Sequence, residues 1–327
     1  MRTIAFLIAL VGFASAKTVE VADVKSLIAA CQNAVAGDEI VIAKGDYTIS
    51  DRSKILIANR PGPVTVRGAT GKAADVVVRG KGQDDKSVQM IFELTDSSRW
   101  TFQDLTTRDS YFHGFKFNAA STDCVLRNVT MLDHGESGVK GTSDPDKGVY
   151  PDRLLVEKCE IGFTKESGGT RDVVEGIDGV AVQGWIIRNN RFVNIQKSGK
   201  PAYGAFTKGN SLETIIEGNR FENCFIGASF GGGGTGEMFF RDHDKSVEHR
   251  WGVIRNNTFV DGTDAAIYIN KASSCRIEDN EIIRGGLNIQ LRFPETTAWV
   301  KGTVVKESRN PAEPAVRLRD GAVLLEK

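Results

Sequence analysis

Seven stretches of the chain repeat one short pattern, and this repetition constrains the fold more than any single residue does. Each stretch reads apolar, charged, Asn or a close substitute, any residue, polar, apolar. Their first residues are separated by 24, 30, 31, 29, 38 and 23 positions, and the stretches lie at 102–106, 126–131, 156–161, 187–192, 216–221, 254–259 and 277–282. A repeat of this length indicates a stacked architecture, because one unit alone cannot bury its apolar face.

The segments between the repeats favour strands. From about residue 55 onward, short β-branched runs alternate with Gly, Asn and Asp turns. Strands that recur without crossover helices argue against a doubly wound sheet. The sequence therefore predicts an all-β, single-stranded, right-handed parallel β-helix, in which Asn suits the turns because it tolerates the left-handed conformation and can hydrogen-bond along a stack. A β-propeller is the alternative, but it needs four antiparallel strands in each unit.

The N-terminal part predicts a helix that caps this stack. Between residues 23 and 36, apolar side chains at 24, 27, 28, 31, 34 and 35 follow helical spacing. Asp23 is available as N-cap and Gly37 as the stop, and a short strand is expected within 37–47. An open solenoid exposes apolar ends, so a terminal cap is required. We expect one domain over residues 17–327.

Residues 1–16 are typical of a secretory signal peptide. Arg2 precedes an apolar run over 4–13, and Ala14-Ser15-Ala16 forms a small-residue cleavage site. The run is too short to span a bilayer, so we expect no membrane span. We expect a secreted or periplasmic protein, and a monomer. Removing Arg2 from the 42 basic residues leaves 41 against 42 acidic ones, a net charge of about −1. Such a chain has no long-range attraction for nucleic acid.

The five cysteines favour core packing over disulfides. Their number is odd and no C-x-x-C spacing occurs, although an oxidising compartment would permit bridges. Free Cys behaves as a small buried hydrophobe. Cys124 and Cys275 each lie two residues before a repeat, so we expect both in the same inner column.

A second short strand precedes most repeats and carries the candidate binding residues. Side chains alternate between the two faces of a strand. When these strands are aligned by their leading Gly or Ala, one outward column contains Asn118, Lys140, Gln183, Lys208, Asn270 and Arg292. The column is polar and partly basic, and it runs along the solenoid. A linear acidic polysaccharide could lie in such a groove.

Three features of the chain resemble the pectate-lyase-like superfamily. They are the N-terminal helix, the run Gly-Asp-Glu-Ile-Val-Ile-x-x-Gly-x-Tyr at 37–47, and the coils with Asn at their turns. Within it the chain is most similar to the chondroitinase B and alginate lyase group, polysaccharide lyase family 6. The resemblance implies that Lys208 removes the C5 proton of a sugar. A lysine base must be deprotonated near neutral pH, and Lys140, Arg241 or Arg292 could supply the positive charge that favours this. A solvated lysine without a catalytic role is the alternative.

The chain departs from that group at two places. Where the group has an arginine on the next coil, this chain has 228–231, Ala-Ser-Phe-Gly, and Arg241 in the following insertion is the nearest substitute. The group's acidic calcium ligands before the lysine are replaced by Pro201 and Tyr203.

Other residues extend the predicted site. Glu175 and Asp178 lie one coil before Lys208 and could hold calcium through their oxygens. Tyr203 is a second candidate base or the acid for the leaving oxygen, and His134 and His243 are alternative proton carriers. Asn210 is expected to contact substrate. The glycine-rich insertion at 231–244 reads as a wall or lid over the groove, or as a flexible tip.

These observations predict a polysaccharide lyase that cleaves a uronic-acid polymer by β-elimination, with Arg241, Lys140 and Arg292 neutralising the substrate carboxylate. A uronate C5-epimerase and a non-catalytic carbohydrate-binding solenoid are the alternatives. A hydrolase of the polygalacturonase type is disfavoured, because its paired carboxylate motifs do not occur on successive coils. Glu175 and Asp178 are the one pair that keeps it open.

Overall fold

The computed structural model of the protein describes residues 16–50, 52–165, 171–232 and 234–326. The predicted signal peptide lies outside the described residues except for Ala16. The chain forms a parallel β-solenoid of the right-handed type with about ten coils, which confirms the predicted fold class. Within the described ranges, no helix has the length and apolar character needed to cross a bilayer.

The predicted capping helix spans Val24–Asn33. Asp23 is its N-cap: the backbone N–H of Ser26 donates to Asp23 Oδ1 at 2.7 Å, and the N–H of Asp23 donates to Ser26 Oγ at 3.3 Å. The helix ends before the predicted stop at Gly37, and its buried face covers the first coil. Elsewhere in the described chain the helical segments are single 3₁₀ turns, at Ala73–Asp75, Pro145–Lys147, Glu237–Phe239 and Arg241–His243.

Each coil contributes one strand to a ten-stranded sheet, which we call the groove sheet. Its strands are Ile55–Ala58, Met90–Thr95, His113–Asn118, Ser137–Thr142, Val174–Val180, Ala202–Lys208, Ile226–Phe230, Ala265–Asn270, Leu287–Arg292 and Val316–Arg319.

The rest of each coil belongs to a twenty-stranded sheet that wraps around the other sides of the solenoid. Its strands are Thr18–Val21, Glu39–Ile42, Gly45–Thr48, Val64–Gly68, Val76–Arg79, Trp100–Arg108, Val125–Leu132, Leu155–Glu157, Glu160–Gly162, Ile186–Arg188, Arg191–Val193, Ile215–Glu217, Arg220–Glu222, Val253–Arg255, Thr258–Val260, Cys275–Glu278, Glu281–Ile283, Thr297–Lys301, Val304–Lys306 and Val323–Leu324. A short third sheet contains Ser211–Leu212, His249–Arg250 and Ala272–Ser273.

The interior is filled by side chains that stack from coil to coil. Phe192, Phe221 and Phe259 occupy the same position of three successive coils, with ring centroids 4.5 and 4.8 Å apart. This matches the spacing of neighbouring strands in a sheet. All five cysteines are free and buried in this core, as the sequence favoured.

The Asn residues of the repeat divide into two roles. The third position of the motif takes the left-handed conformation, with φ of 55° at Asn189 and 53° at Asn256. The fourth position, which the sequence pattern left as any residue, forms a buried ladder. There the backbone N–H and Nδ2 of Asn190 donate to Asn219 Oδ1 at 2.9 and 3.0 Å, and Asn219 makes the same pair of bonds to Asn257.

Candidate active site

Inward-facing glycines in the groove sheet decide which side chains face outward. Ser137 pairs with Glu175 and Val139 pairs with Ile177, but the intervening Gly138 and Gly176 are skipped in the pairing. A Cβ on Gly176 would approach the carbonyl oxygen of Gly204 on the next coil within 2.4 Å. Because the glycine and the following residue both turn inward, the residues on either side of that pair face outward. Glu175 and Asp178 therefore share the outer face although they are three positions apart.

Lys140, Asp178 and Lys208 form the lysine cluster at the centre of this face. Lys140 lies beside Asp178 on the neighbouring strand, and its ammonium donates to Asp178 Oδ2. Lys208 Nζ lies 3.7 Å from the same oxygen. The Asp178 side chain is fully buried, whereas the two lysine side chains remain 18% and 15% exposed. The structure thus brings together two of the predicted column residues through a carboxylate that was predicted as a metal ligand.

The pKa values of the two acidic side chains at this site shift in opposite directions. Burial lowers the pKa of Lys140, but the charges of Asp178 and Glu175 more than offset this, and the pKa is raised overall. For Asp178, burial raises the pKa while Lys140 and Lys208 lower it, and the lowering prevails. Burial and the charge of Asp178 raise the pKa of Glu175 well above its usual range. The site therefore holds an ionised Asp178, a protonated Lys140 and a carboxyl group at Glu175 that favours its neutral form.

Calcium binding by Glu175 and Asp178 stays a prediction that the geometry does not favour. Calcium takes six to eight oxygen ligands. In the described part of the chain, no group of three or more His, Cys, Asp or Glu side chains is arranged to hold a metal ion. The Lys140 ammonium already supplies positive charge to Asp178 Oδ2.

Tyr203 belongs to an aromatic floor beside the cluster. Its ring stacks on Phe206 with centroids 4.4 Å apart, and its hydroxyl donates to the carbonyl oxygen of Gly232 at 3.2 Å. Burial raises the pKa of Tyr203 to about 12, so the phenol is protonated at neutral pH. This state suits a proton donor better than a base. Lys208 Nζ lies 4.6 Å from the centroid of the Phe206 ring, which places it over the same floor.

The glycine-rich insertion is seated across the groove sheet at this coil. Gly232 lies against the Phe206 and Tyr203 rings, where an added Cβ would meet their atoms at 3.2 and 3.3 Å. Glu248 Oε2 accepts from Thr235 Oγ1 at 3.1 Å and from the backbone N–H of Gly209 at 2.8 Å. The described residues of the insertion therefore form a fixed wall against the groove, one of the predicted alternatives.

Arg241 anchors this wall and does not face the lysine cluster. Its guanidinium is buried, forms an ion pair with Asp152, donates through Nε to the carbonyl oxygen of Ala181 at 3.2 Å, and lies 3.8 Å from the centroid of the Tyr150 ring. The predicted substitution of Arg241 for a substrate-binding arginine is therefore not supported by its position. Of the three cations expected near Lys208, only Lys140 is beside it.

Three cavities meet at the wall. One of about 330 Å³ is lined by Glu175, Tyr203 and Lys208. A second of about 280 Å³ is lined by Lys140 and Lys208 and by residues 234–236 of the insertion. The largest, about 650 Å³, begins at Tyr203 and continues over the later coils. Lys208 is thus accessible from two cavities, and the groove extends to both sides of it.

The remaining column residues lie at different distances from this centre. Asn270 and Arg292 line the largest cavity, where Asn270 Nδ2 donates to the Tyr268 hydroxyl at 3.1 Å and Arg292 pairs with Asp320. Asn118 lies on an earlier coil and donates to Glu93 Oε1 at 2.7 Å. Gln183 does not belong to the column: its strand is Val174–Val180, and Gln183 pairs with Leu212 in the short third sheet. The leading-Gly alignment failed there because Gly179 pairs with Gly141, near the end of its strand, and is not the counterpart of the leading Gly138.

The other predicted residues have structural surroundings. His134 is buried between Thr107 and Ser110, and burial lowers its pKa to about 3, so it is no proton carrier at neutral pH. His243 is exposed on the insertion, 3.4 Å from Asp146. Asn210 is buried and donates to the carbonyl oxygen of Arg241 at 3.2 Å, which makes it a support for the wall.

Two charged residues of the site were missed in the sequence. Lys116 lies directly beside Lys140 in the groove sheet, and Glu136 precedes the strand that carries Lys140. Burial raises the pKa of Glu136. Strand alternation offered a signal for Lys116, because it stands two residues before Asn118 and so shares its face.

Comparison with solved structures confirms the parallel β-helix fold. The sequence matches no protein-family model and no curated protein. Among solved structures, an alginate lyase from a Paenibacillus species has a TM-score of 0.66 at 18% identity, covering 94% of this chain and 99% of that one. The A-module of a mannuronan C-5 epimerase from Azotobacter vinelandii has a TM-score of 0.52 at 12% identity, with coverage of 94% and 93%. An exopolygalacturonase from Thermotoga maritima has a TM-score of 0.52 at 9% identity, with coverage of 89% and 80%.

At sequence identities this low, the structural similarity shows a shared fold and no more. The three neighbours are named for three different reactions, so the fold alone does not select one of them. Membership of polysaccharide lyase family 6 stays a prediction.

Proposed function

We propose that the protein is a secreted polysaccharide lyase that cleaves a uronic-acid polymer by β-elimination at Lys208. The observation that carries this proposal is the lysine cluster: the side-chain nitrogens of Lys140 and Lys208 converge on one buried carboxylate, and Lys208 opens onto two cavities of the groove. The similar solved structures add support, since alginate, mannuronan and polygalacturonan are all polyuronates.

Each step of the elimination has a residue of the site to perform it. Lys208, acting as a neutral amine, takes the C5 proton, and the C5–H electron pair stays on C5 and is delocalised into the adjacent carboxylate. Lys140, whose pKa is raised, stays charged beside the substrate carboxylate and stabilises the negative charge that develops there. That electron pair then forms the C4–C5 double bond as the C4–O bond breaks, and the leaving oxygen receives a proton from the Tyr203 hydroxyl. Tyr203 lines the same cavity as Lys208, which permits this division of roles.

The test is an absorbance assay for the new double bond. The mature protein is incubated with alginate, chondroitin, pectate or heparin, and the absorbance of the unsaturated product is followed. We expect product from at least one polymer, its loss in Lys208→Ala, and wild-type turnover in Lys301→Ala, which removes an exposed lysine from another sheet. Binding without absorbance for every polymer would favour the carbohydrate-binding alternative. Wild-type turnover in Lys208→Ala would exclude this lysine as the base.

A further inference from the structure

The outer face of the groove sheet continues past the lysine cluster toward the N-terminal coils. There Lys116 stands in register with Glu93 on one neighbouring strand and with Lys140 on the other. Its side chain is partly exposed on the same face as the cluster. Like charges opposite each other on neighbouring strands are destabilising, so the pair of Lys116 and Lys140 needs negative charge nearby.

Two of the nearby carboxylates, those of Glu93 and Asp178, are already engaged by other lysines. Glu93 accepts from Asn118 Nδ2 at 2.7 Å and forms an ion pair with Lys54, and Asp178 is shared by Lys140 and Lys208. Among the residues that the structure describes, none forms an ion pair or a hydrogen bond with the Lys116 ammonium. Burial lowers the pKa of Lys116, and the charges of Lys54 and Lys140 lower it further, whereas the charge of Glu93 raises it; the lowering prevails. An anion beside Lys116 would offset this positive charge.

The spacing of the coils fits a ligand that carries repeated charges. Neighbouring strands of a sheet lie ~4.8 Å apart, so Lys116, three strands from Lys208, lies ~14 Å from it along the groove. A linear polyuronate carries one carboxylate on each sugar, and one sugar spans a distance close to one coil. A chain with its reacting sugar at Lys208 therefore presents the carboxylate of a more distant sugar at Lys116.

We propose that Lys116 forms a binding subsite for the carboxylate of a sugar several units from the cleaved bond. The subsite rests on the proposed function only in that its ligand is a polyuronate; it does not require that Lys208 be the base. An ammonium–carboxylate contact of this kind is charge-assisted and strong. Loss of one such contact should weaken binding by about tenfold.

Calorimetric binding to the Lys208→Ala protein, which keeps the ligand intact, tests the subsite. The ligands are a disaccharide and a hexasaccharide prepared from alginate and from pectate, each with a carboxyl-reduced, neutral counterpart. Lys116→Gln is compared with Lys116→Arg and with Lys301→Gln as the matched control. We expect Lys116→Gln to weaken hexasaccharide binding by about tenfold, to leave disaccharide binding unchanged, and to be rescued by Lys116→Arg.

Three results would overturn the subsite: unchanged hexasaccharide affinity in Lys116→Gln, an equal loss for the neutral oligosaccharides, or no binding of any charged oligosaccharide to the parent protein. An equal loss for neutral ligands would identify Lys116 as a structural residue. Charge- and length-dependent binding by a protein that shows no lyase activity would support the subsite and contradict the proposed function, so the two ideas fail separately.

Discussion

Removal of the charge on Asp178 tests whether the lysine cluster is as interdependent as its geometry indicates. Asp178→Asn keeps the shape of the side chain. The wild-type carboxylate is fully buried and contacts two lysine side chains that are less than one-fifth exposed. The variant leaves both lysines without their shared counter-charge, so we expect the free energy of unfolding to fall.

The magnitude follows from the burial of the three partners. Removal of one member of a buried ion pair costs about 3–5 kcal/mol, because the remaining charge is left uncompensated. Lys140 and Lys208 keep some contact with water, so we expect a loss of about 3 kcal/mol, the low end of that range. Asp123→Asn is the matched control: Asp123 and Arg153 form an exposed pair, 42% and 57% exposed, and should lose less than about 1 kcal/mol.

Urea unfolding, followed by circular dichroism and by tryptophan fluorescence, measures the difference. We expect coincident transitions and an unchanged dependence of the unfolding free energy on urea concentration. The pKa of Asp178 is lowered in the folded protein, so its stabilising contribution is present above the pKa of the unfolded state and is lost as the pH falls through the folded pKa. The gap between wild type and Asp178→Asn should therefore hold from pH 7 to pH 5 and shrink below about pH 4. A variant as stable as Asp123→Asn at pH 7 would refute the reasoning.

Two further variants test other parts of the structure. The pKa of Glu175 is raised in the folded protein, so its charge opposes folding above the pKa of the unfolded state, about 4.3. Glu175→Gln should therefore raise the melting temperature at pH 7 and leave it unchanged at pH 4. A variant that is less stable than wild type at pH 7 would contradict this. Asn219→Ala removes the acceptor of the buried Asn190 N–H, and we expect a loss of about 2–3 kcal/mol in urea unfolding, whereas a loss below about 0.5 kcal/mol would show that the ladder contributes little.

The repeat made the fold predictable because it records the architecture directly. Each motif marks one turn of the solenoid, and the strands on either side follow from it. The roles within the motif were less visible. The pattern drew attention to the third position, where Asn189 takes the left-handed conformation, while the fourth position carries the buried ladder through Asn190 and Asn219. A ladder forms only when successive coils are stacked, and sequence order alone does not show which residues then meet.

The candidate site was only partly predictable, for two physical reasons. Gly176 and Ile177 both face inward, which breaks the strict alternation of the strand. Gly179, which the alignment took as the first glycine of its strand, pairs with Gly141 near the end of it, so Gln183 falls outside the outward column and Asp178 lies beside Lys140. Contacts across distant coils were also hidden. Arg241 was assigned to the substrate because its partner Asp152 lies 89 positions away in the chain. Strand alternation was enough to place Lys140 and Lys208 on the outer face, but the predicted register was wrong by two residues, because Lys140 pairs with Asp178 and Lys208 pairs with Val180.

The central claim is that Lys208 removes the C5 proton of a uronate, and proton NMR of the products tests it most directly. Oligouronates that the protein binds are incubated with wild type and with Lys208→Ala. We predict that wild type gives the olefinic H4 signal of an unsaturated end together with loss of the H5 signal, and that Lys208→Ala gives neither. Inverted configuration at C5 without an olefinic signal would identify an epimerase. New reducing ends without the olefinic signal would identify a hydrolase and contradict the proposed function.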